Sequence, residues 1–562
     1  MGIRIETTTS RILVIGTPYE QRTVLKAIAG SRWDRERRCW TYPLSSSIVP
    51  GLLSLYPSAQ IDSGIKALLE ASEKQRLAAS LKQSSANLLD PIPSTVLPPW
   101  EHQLQSYHFG RLRLNLDGVP IGGGALLGLD MGTGKTKVVY DLIRNYPKIR
   151  TVLVTCPKTV IQTWADEREK HAGDTDVVVT LLGDRVTRTG SKAQWPIKKR
   201  TEAAKRFLAA FPSSSYSRVI VINHESVWRE PFRTLVKSRI WDLLVMDECH
   251  RAKAPGGKLS MFLAKSVGQY ACRLGLTGTP MPKDPMDIYA QARFLDPGIY
   301  GTSFTEFKAR YGIFGGFENR KFLRLNNEEE FKEKLDSLMI RVMADDVLDL
   351  PKRHHIIRTT VLDAEESRIY NSMKRDLIAQ LKSGVVTAAN SLVKLVRLQQ
   401  ITQGTVHDED GRYHRIGFSK QKLLEEVLED LHPDEPVCIF ANYTDDLSRI
   451  RETCEALGRR SLELSGKVDE LADWKAGKAP ILAVQYKSGG VGVDFSRSRY
   501  TIYYSPTFDM GDYEQSIKRT HRPGQTRTTF YIHLRVKGTI DVDISRALRQ
   551  KKDIVEGALA GI

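Results

Sequence analysis

The stretch Gly128–Thr136, GLDMGTGKT, sets two glycines one residue apart ahead of a lysine and a threonine. Gly132, Thr133 and Gly134 suit a turn whose backbone N–H groups close around phosphate oxygens. A helix starting at the lysine turns its positive dipole end toward the same anion. Lys135 is then placed for the β and γ phosphates of a nucleotide and Thr136 for Mg²⁺. The spacing departs from the strict phosphate-loop pattern at Leu129, which stands where a first glycine is usual. A second stretch, LLVMDECH (Leu243–His250), ends an apolar run in two adjacent carboxylates. Asp247 suits a divalent cation held through water, and Glu248 suits polarisation of an attacking water. Far downstream, YEQSIKRTHRPGQT carries Arg519 and Arg522 three residues apart, in a stretch expected to stay helical as far as Pro523.

These groups need a scaffold. From about residue 100, apolar strand-like runs (GALLGLD, TVLVTCP, SRVIVINHE, WDLLVMDE, CRLGLTGTP) alternate with helix-like stretches. That is the pattern of a parallel sheet covered on both faces. The alternation returns with EPVCIFANY, RSLELSG, PILAVQY, RYTIYYSP and TFYIHLRV. The expected fold is α/β: two parallel-sheet lobes with a helical insertion between them, plus a small N-terminal α/β module. The expected divisions are a module over 1–62, a helical segment and Pro-rich linker over 63–99, a first lobe over 100–300 and a mainly helical insertion over 301–418. A second lobe over 419–545 and a C-terminal helix over 546–562 complete the chain.

Lysine and arginine number 83 against 66 acidic residues, a net charge of +17 spread along the chain, which favours a polyanionic partner. The six cysteines form no CxxC pair and lie largely in apolar runs, so buried thiols are expected rather than disulfides or zinc. No run of 18 apolar residues occurs, so no membrane partner is expected.

Taken in order, GLDMGTGKT, DECH, LTGTP and QSIKRTHRPGQ resemble the superfamily 2 helicase-like ATPases. The closing block with its HRPGQ and GTI segments, and RVMADDVLDLPKR (Arg341–Arg353), are similar to the Swi/Snf-type subgroup. The resemblance spans about residues 97 to 548. It implies that the two lobes are RecA-like and that the chain is a DNA-dependent ATPase using ATP and Mg²⁺, in which Arg519 and Arg522 reach the γ-phosphate bound on the first lobe. A guanidinium delivered to charge building on phosphoryl oxygens is worth roughly 10³–10⁵ in rate. It further implies that Gln103 reads the adenine edge and that Gln515 opens the last block. Thr277 and Thr279 would link hydrolysis to the track, and Gly490 and Asp494 would line both ligands. Lys158, Asn223, His224, Asn442, Lys487 and Ser488 would face a nucleic-acid backbone. Four departures stand out: Lys518 where an aspartate is usual, VGVDF for a more usual leucine-asparagine form, Phe508 for a common tryptophan, and no arginine after LSGKVDELADWKAG.

Swi/Snf-type motors typically track duplex DNA without separating it, so duplex or forked DNA is the implied partner. The implied location is cytoplasmic and nucleoid-associated for a bacterial or viral chain, nuclear for a eukaryotic one. At the N-terminus, YEQRTVLKAIAGSRWDRERRCWTYPL resembles the HARP domain of annealing, fork-remodelling translocases, on Asp34, Arg37, Arg38 and Trp40. Trp33 and Trp40, interleaved with Arg22, Arg32, Arg35, Arg37 and Arg38, suit either base stacking with phosphate contact or a small packed core. The readings weighed are a remodeller of branched DNA, a motor that displaces bound proteins or serves a defence complex, and an ATP-gated DNA scaffold with little turnover.

Overall fold

The computed structural model describes residues 2–559 apart from 83–88, 120–122, 174–175, 184, 187–191, 194, 317–320, 383–387, 408–412 and 489–492. The chain forms two compact units, residues 1–347 with 554–562, and residues 348–553. Both large sheets are parallel, as the α/β reading requires.

The N-terminal module opens the first unit. Its strands β1 (Arg4–Thr7), β2 (Arg11–Ile15), β3 (Arg32–Asp34), β4 (Cys39–Pro43) and β5 (Gln60–Ile61) pair in the order β3-β4-β2-β1-β5. Ile5, Ile12, Val14, Leu25, Tyr42, Val49 and Leu52 fill its core, closed by helix Ser63–Leu81, which adds Ile65 and Leu68. Asp62 caps that helix by accepting from the Ile65 N–H at 2.7 Å. The two tryptophans face each other as register partners across the β3–β4 hairpin, edge to face at 5.5 Å. Trp40 packs on the core, whereas Trp33 stays 45% exposed.

Buried polar contacts weld the module to the first lobe. Asp296 is fully buried; Ser45 Oγ donates to its Oδ1, Ser47 Oγ donates to Oδ2 at 2.7 Å, and the Arg113 guanidinium donates to Oδ2 at 2.8 Å. A Cβ on Gly298 would lie 2.2 Å from Ser45 Oγ, so this close approach requires glycine. The Pro-rich stretch over 90–99 is also tied down, with Ser94 N donating to Asn145 Oδ1 at 2.9 Å and Arg144 Nε donating to Ser94 Oγ at 2.9 Å.

The first large sheet holds β6 (Gly123–Leu129), β7 (Thr151–Cys156), β8 (Val177–Leu182), β9 (Ser217–Asn223), β10 (Trp241–Asp247), β11 (Tyr270–Leu276) and β12 (Met339–Val342). Their order is β12-β6-β11-β10-β7-β9-β8. β6, β7 and β9 are buried along their whole length, as strands covered on both faces must be. Within 301–418 helices predominate, yet β12 joins this sheet beside β6. Gly128 permits that: a Cβ there would meet Ile340 O and Met339 Sδ at 3.0 Å.

The second unit's sheet holds β13 (Arg353–Thr360), β14 (Val437–Ala441), β15 (Ser461–Leu464), β16 (Ile481–Gln485), β17 (Tyr500–Tyr503) and β18 (Thr529–Val536), in the order β13-β18-β17-β14-β16-β15. Side chains alternate between two cores. Val437, Ile439 and Ala441 pack with helix residues Leu424, Val427 and Ile450, while Cys438 and Phe440 pack with Trp474, Phe495 and Tyr531. All six cysteines are buried free thiols.

Candidate active site

In a parallel α/β sheet, ligands gather at the carboxyl ends of the strands. Here β11 lies between β6 and β10, so the loops after all three converge. The loop after β6 carries the glycines. Leu129 is still a strand residue, paired with Val342 and buried, so the turn begins after the position where a first glycine is usual. Gly132 and Gly134 take left-handed backbone angles, φ 82° and 88°, which exclude most side chains. Helix Lys135–Asn145 starts immediately after Gly134.

The loop is braced from below. Thr133 Oγ1 donates to the Asp130 carbonyl at 2.7 Å. The Thr133 carbonyl accepts from Gln103 Nε2 at 3.0 Å and meets His102 Nε2 at 2.9 Å. Gln103 Oε1 accepts from the Trp100 N–H at 3.0 Å, so its amide is held at both ends. A Cβ on Gly134 would lie 2.2 Å from Gln103 Nε2. Lys135 folds back over the loop, donating to the Leu129 carbonyl at 3.1 Å with its ammonium 4.0 Å from Glu248 Oε1. Thr136 is half-buried in the first turn of the helix.

The carboxylate pair ends β10. Asp247 is buried, and Trp164 Nε1 donates to its Oδ2 at 3.3 Å. Burial, then the neighbouring Glu248 charge, push the Asp247 carboxyl up to about 6, against the pull of Lys135. Glu248 itself sits at φ 50°, a left-handed conformation costing a side-chain-bearing residue on the order of 1 kcal/mol. Its Oε2 lies 3.3 Å from His250 Nδ1 and accepts from Thr277 Oγ1 at 3.5 Å. His250 Nδ1 is 2.9 Å from Thr277 Oγ1, and Thr279 N donates to Thr277 Oγ1 at 3.1 Å. A continuous polar chain therefore runs from the acid pair into the LTGTP loop. The sequence alone assigns no role to His102, Trp164 or His250; positions beside Gln103 and within DECH are the only signals it carries, for the two histidines.

The residues fit a nucleotide triphosphate with a divalent cation. The glycine turn, at a helix N-terminus with a lysine folded across it, offers donors to an anion. Two adjacent buried carboxylates, with Glu248 raising Asp247's hold on a proton, suit a cation near Thr136. Among the described residues, no group of three or more His, Cys, Asp and Glu gathers to hold a metal by itself.

In the second unit, helix Met510–Thr520 carries Gln515 and Arg519 four residues apart on one face. Asp509 caps it, accepting from Gly511 N at 2.7 Å. The helix ends at Thr520, three residues short of Pro523, because a proline disfavours helical backbone at the residue before it. Arg522 therefore projects from the turn beyond. Arg519 Nη1 donates to the Val493 carbonyl at 3.1 Å and Arg522 Nη1 approaches the same carbonyl at 3.5 Å. Arg519 is fully buried; Arg522 is half-buried, and its Nε finds no acceptor among the described residues. Asp494 lies nearby with its carboxyl held low. Burial opposes that shift, but the Ser496 N–H and the Arg522 charge outweigh it. Gly490 lies outside the described residues.

The residues expected along a nucleic-acid track divide. Lys158 and Lys487 are exposed, and Asn442 and Ser488 are half-buried. Asn223 is buried, accepting from Arg200 Nη1 and donating to Glu225, each at 2.8 Å. His224 is buried too, and burial pushes its imidazole down to about 4. No helix among the described residues is long and apolar enough to cross a membrane.

A family model described as the SNF2-related domain matches residues 120–406, and one described as the helicase conserved C-terminal domain matches residues 419–524. Protein p41 of Acyrthosiphon pisum secondary endosymbiont phage 1 is 25% identical over 452 residues, covering 75% of this chain and 92% of that protein. The DNA repair and recombination protein RAD54-like of Gallus gallus is 24% identical over 560 residues, covering 91% of this chain and 73% of its own. Of several longer curated relatives, the chain spans 40% to 51% of the length. The solved Sulfolobus solfataricus SWI2/SNF2 ATPase core in complex with dsDNA is 21% identical, covering 83% of this chain and 96% of that one, with a TM-score of 0.35.

Proposed function

We propose a function from one premise: this chain belongs to the SNF2-related family. It is an ATPase whose turnover depends on DNA and drives movement along the duplex. The observation that carries this reading is the convergence of Lys135, Asp247 and Glu248 at the ends of β6 and β10.

When bound, ATP with Mg²⁺ supplies a phosphoanhydride whose cleavage is strongly favourable. The backbone N–H groups of Gly132, Thr133 and Gly134 bind and orient the anion, with Lys135 neutralising it. Thr136 and Asp247 hold the cation. Glu248 orients water at its carboxylate, and the chain through His250, Thr277 and Thr279 carries any change at that carboxylate into the adjoining loop. Arg519 and Arg522 answer the charge that develops on phosphoryl oxygens, which is where guanidinium groups accelerate such reactions most. Gln103, already spanning Trp100 and Thr133, couples base recognition to the shape of the glycine turn. Lys158, Asn442, Lys487 and Ser488 contact the DNA backbone without reading sequence, with Asn223 and His224 supporting that surface from beneath.

The DNA is branched or forked. Exposed aromatic groups on the N-terminal module favour this finer reading. Trp33 stands 45% exposed among Arg32, Arg35 and Arg37, and Tyr19 is 72% exposed with the Arg22 guanidinium 4.6 Å over its ring. Exposed aromatic groups beside arginines suit unpaired bases beside a duplex, as in the annealing role of HARP-bearing motors. Location follows from the partner: this is a DNA-associated protein.

The test is ATP turnover by the full chain with plasmid, single-stranded and forked DNA. Turnover that DNA fails to raise overturns the motor reading. Equal stimulation by plain and forked duplex, unchanged in Trp33→Ala, overturns the branched-DNA reading alone.

A further inference from the structure

The amino-terminal ends of β7, β9 and β10 lie on the side of the first sheet away from the nucleotide loops. At about 3.3 Å per residue, the six-residue β7 separates the two ends by about 20 Å. A cavity of about 360 Å³ opens there, lined by Lys148, Arg150, Arg218, Arg239 and Asp242 among others. Four cations meet one carboxylate.

Most of that charge has no counter-ion. Arg150 pairs with Asp176. Among the described residues, Lys148, Arg218 and Arg239 stand in no ion pair. Arg218 is buried, and its guanidinium is clamped by oxygens that carry no charge. It donates to the Leu208 carbonyl at 3.2 Å, the Phe211 carbonyl at 3.3 Å, the Arg150 carbonyl at 3.4 Å and the Thr151 hydroxyl. Lys148 Nζ is anchored on the Gly118 carbonyl at 2.9 Å. Asp242 is committed to the scaffold: its Oδ2 accepts the N–H groups of Arg150 at 2.9 Å and Thr151 at 2.7 Å. Burial, then repulsion from Arg239, lower the Arg218 pKa from its ordinary value against the attraction of Asp242. Like charges are thus held together by neutral groups at a cost that a bound anion would offset.

We infer that this cavity is a second nucleic-acid contact, a seat for phosphodiester groups of a DNA segment that the motor does not track. Fixed guanidinium groups suit phosphate oxygens. An open cavity of this size, rimmed by exposed Lys148 and half-exposed Arg239, suits a continuous backbone more than one enclosed ion. The assignment rests on DNA being the polyanion of the proposed function. Such a seat would hold one arm of a branched substrate while the nucleotide-driven end works on another.

The test compares the full chain with a Lys148→Gln, Arg239→Gln double variant. Both residues lie at the rim, so the melting temperature is expected to stay unchanged. On a long duplex at about 0.1 M salt, affinity is expected to fall about tenfold or more. The slope of log affinity against log salt should lose about 2. Turnover at saturating DNA should be unaltered. Unchanged affinity and slope overturn the inference. So does a variant that loses stabilisation by pyrophosphate or by an acidic peptide while binding DNA as before. Absence of DNA-stimulated turnover in the unmodified chain sinks the motor reading instead, and the two failures are read from different arms of the same experiment.

Discussion

Lys135 lies 4.0 Å from Glu248 and spends its 3.1 Å hydrogen bond on the Leu129 carbonyl. The ammonium thus rests on the loop that bears it, near an acid whose backbone is strained. Substituting the two residues in turn should separate binding from turnover. Lys135→Ala removes the charge that anchors the anion, and both nucleotide affinity and DNA-stimulated turnover should fall, turnover by about 10²-fold or more. Glu248→Gln keeps the shape and should leave nucleotide affinity within about threefold while turnover falls about 10²-fold. Fluorescent-nucleotide titration and phosphate release measure the two. Normal turnover in Glu248→Gln rules the carboxylate out as the group that orients water.

Arg519 and Arg522 share the Val493 carbonyl but differ in burial. Arg519→Ala should cost stability as well as activity, on the order of 2 kcal/mol, because it vacates a buried site and removes the shorter of the two hydrogen bonds to that carbonyl. Arg522→Ala should change stability by no more than about 0.5 kcal/mol, yet lower turnover about 10³-fold. Urea titration beside a turnover assay distinguishes them. Retained turnover in Arg522→Ala would end its role in hydrolysis.

The local chemistry was legible in the sequence because it is contiguous: glycines, lysine and threonine in one turn, two carboxylates at one strand end. The two parallel sheets were legible from alternating apolar runs. What needed the fold were facts of register. Trp33 and Trp40 read alike as residue types and share one face of the hairpin, but Trp33 lies on the edge strand β3 and stays exposed, whereas Trp40, one strand further in, packs against the core. The four-residue strand Met339–Val342 is masked by helices around it and is defined only by its neighbour β6. Asn223 ends a buried strand and His224 directly follows it, so both are buried with it, which such polar residues do not announce. The Arg522 position turns on a helix ending before the proline rather than at it.

Asp296 ties the N-terminal module to the first lobe through Ser45, Ser47 and Arg113. Removing residues 1–62 should therefore destabilise the lobe rather than simply delete a DNA contact. Asp296→Ala should show the larger part of this directly, at about 3–5 kcal/mol, since it strands the fully buried Arg113 charge. Ser47→Ala should cost about 1 kcal/mol. Chemical denaturation of the full chain measures both. An Asp296→Ala protein as stable as the parent would mean that the module is merely tethered.

Glu330 offers a pH test away from the catalytic groups. Burial pushes its carboxyl up, but hydrogen bonds from Arg310, Lys334 and Tyr311 outweigh that and hold it at about 2. Arg310 Nη2 donates at 2.7 Å and Tyr311 OH at 2.8 Å. An unfolded glutamate takes up its proton near 4.5. A carboxyl lowered in the folded state contributes stability that is complete above that value and disappears as pH falls toward the folded one. The stability difference between the parent and Glu330→Gln should therefore be constant from pH 7 to about 5.5, then shrink, losing more than half by about pH 3. Urea midpoints at intervals across this range measure it. A difference that persists undiminished at pH 3 would show that Glu330 acts through packing and not through its charge, because only the charged form accepts from all three donors at once.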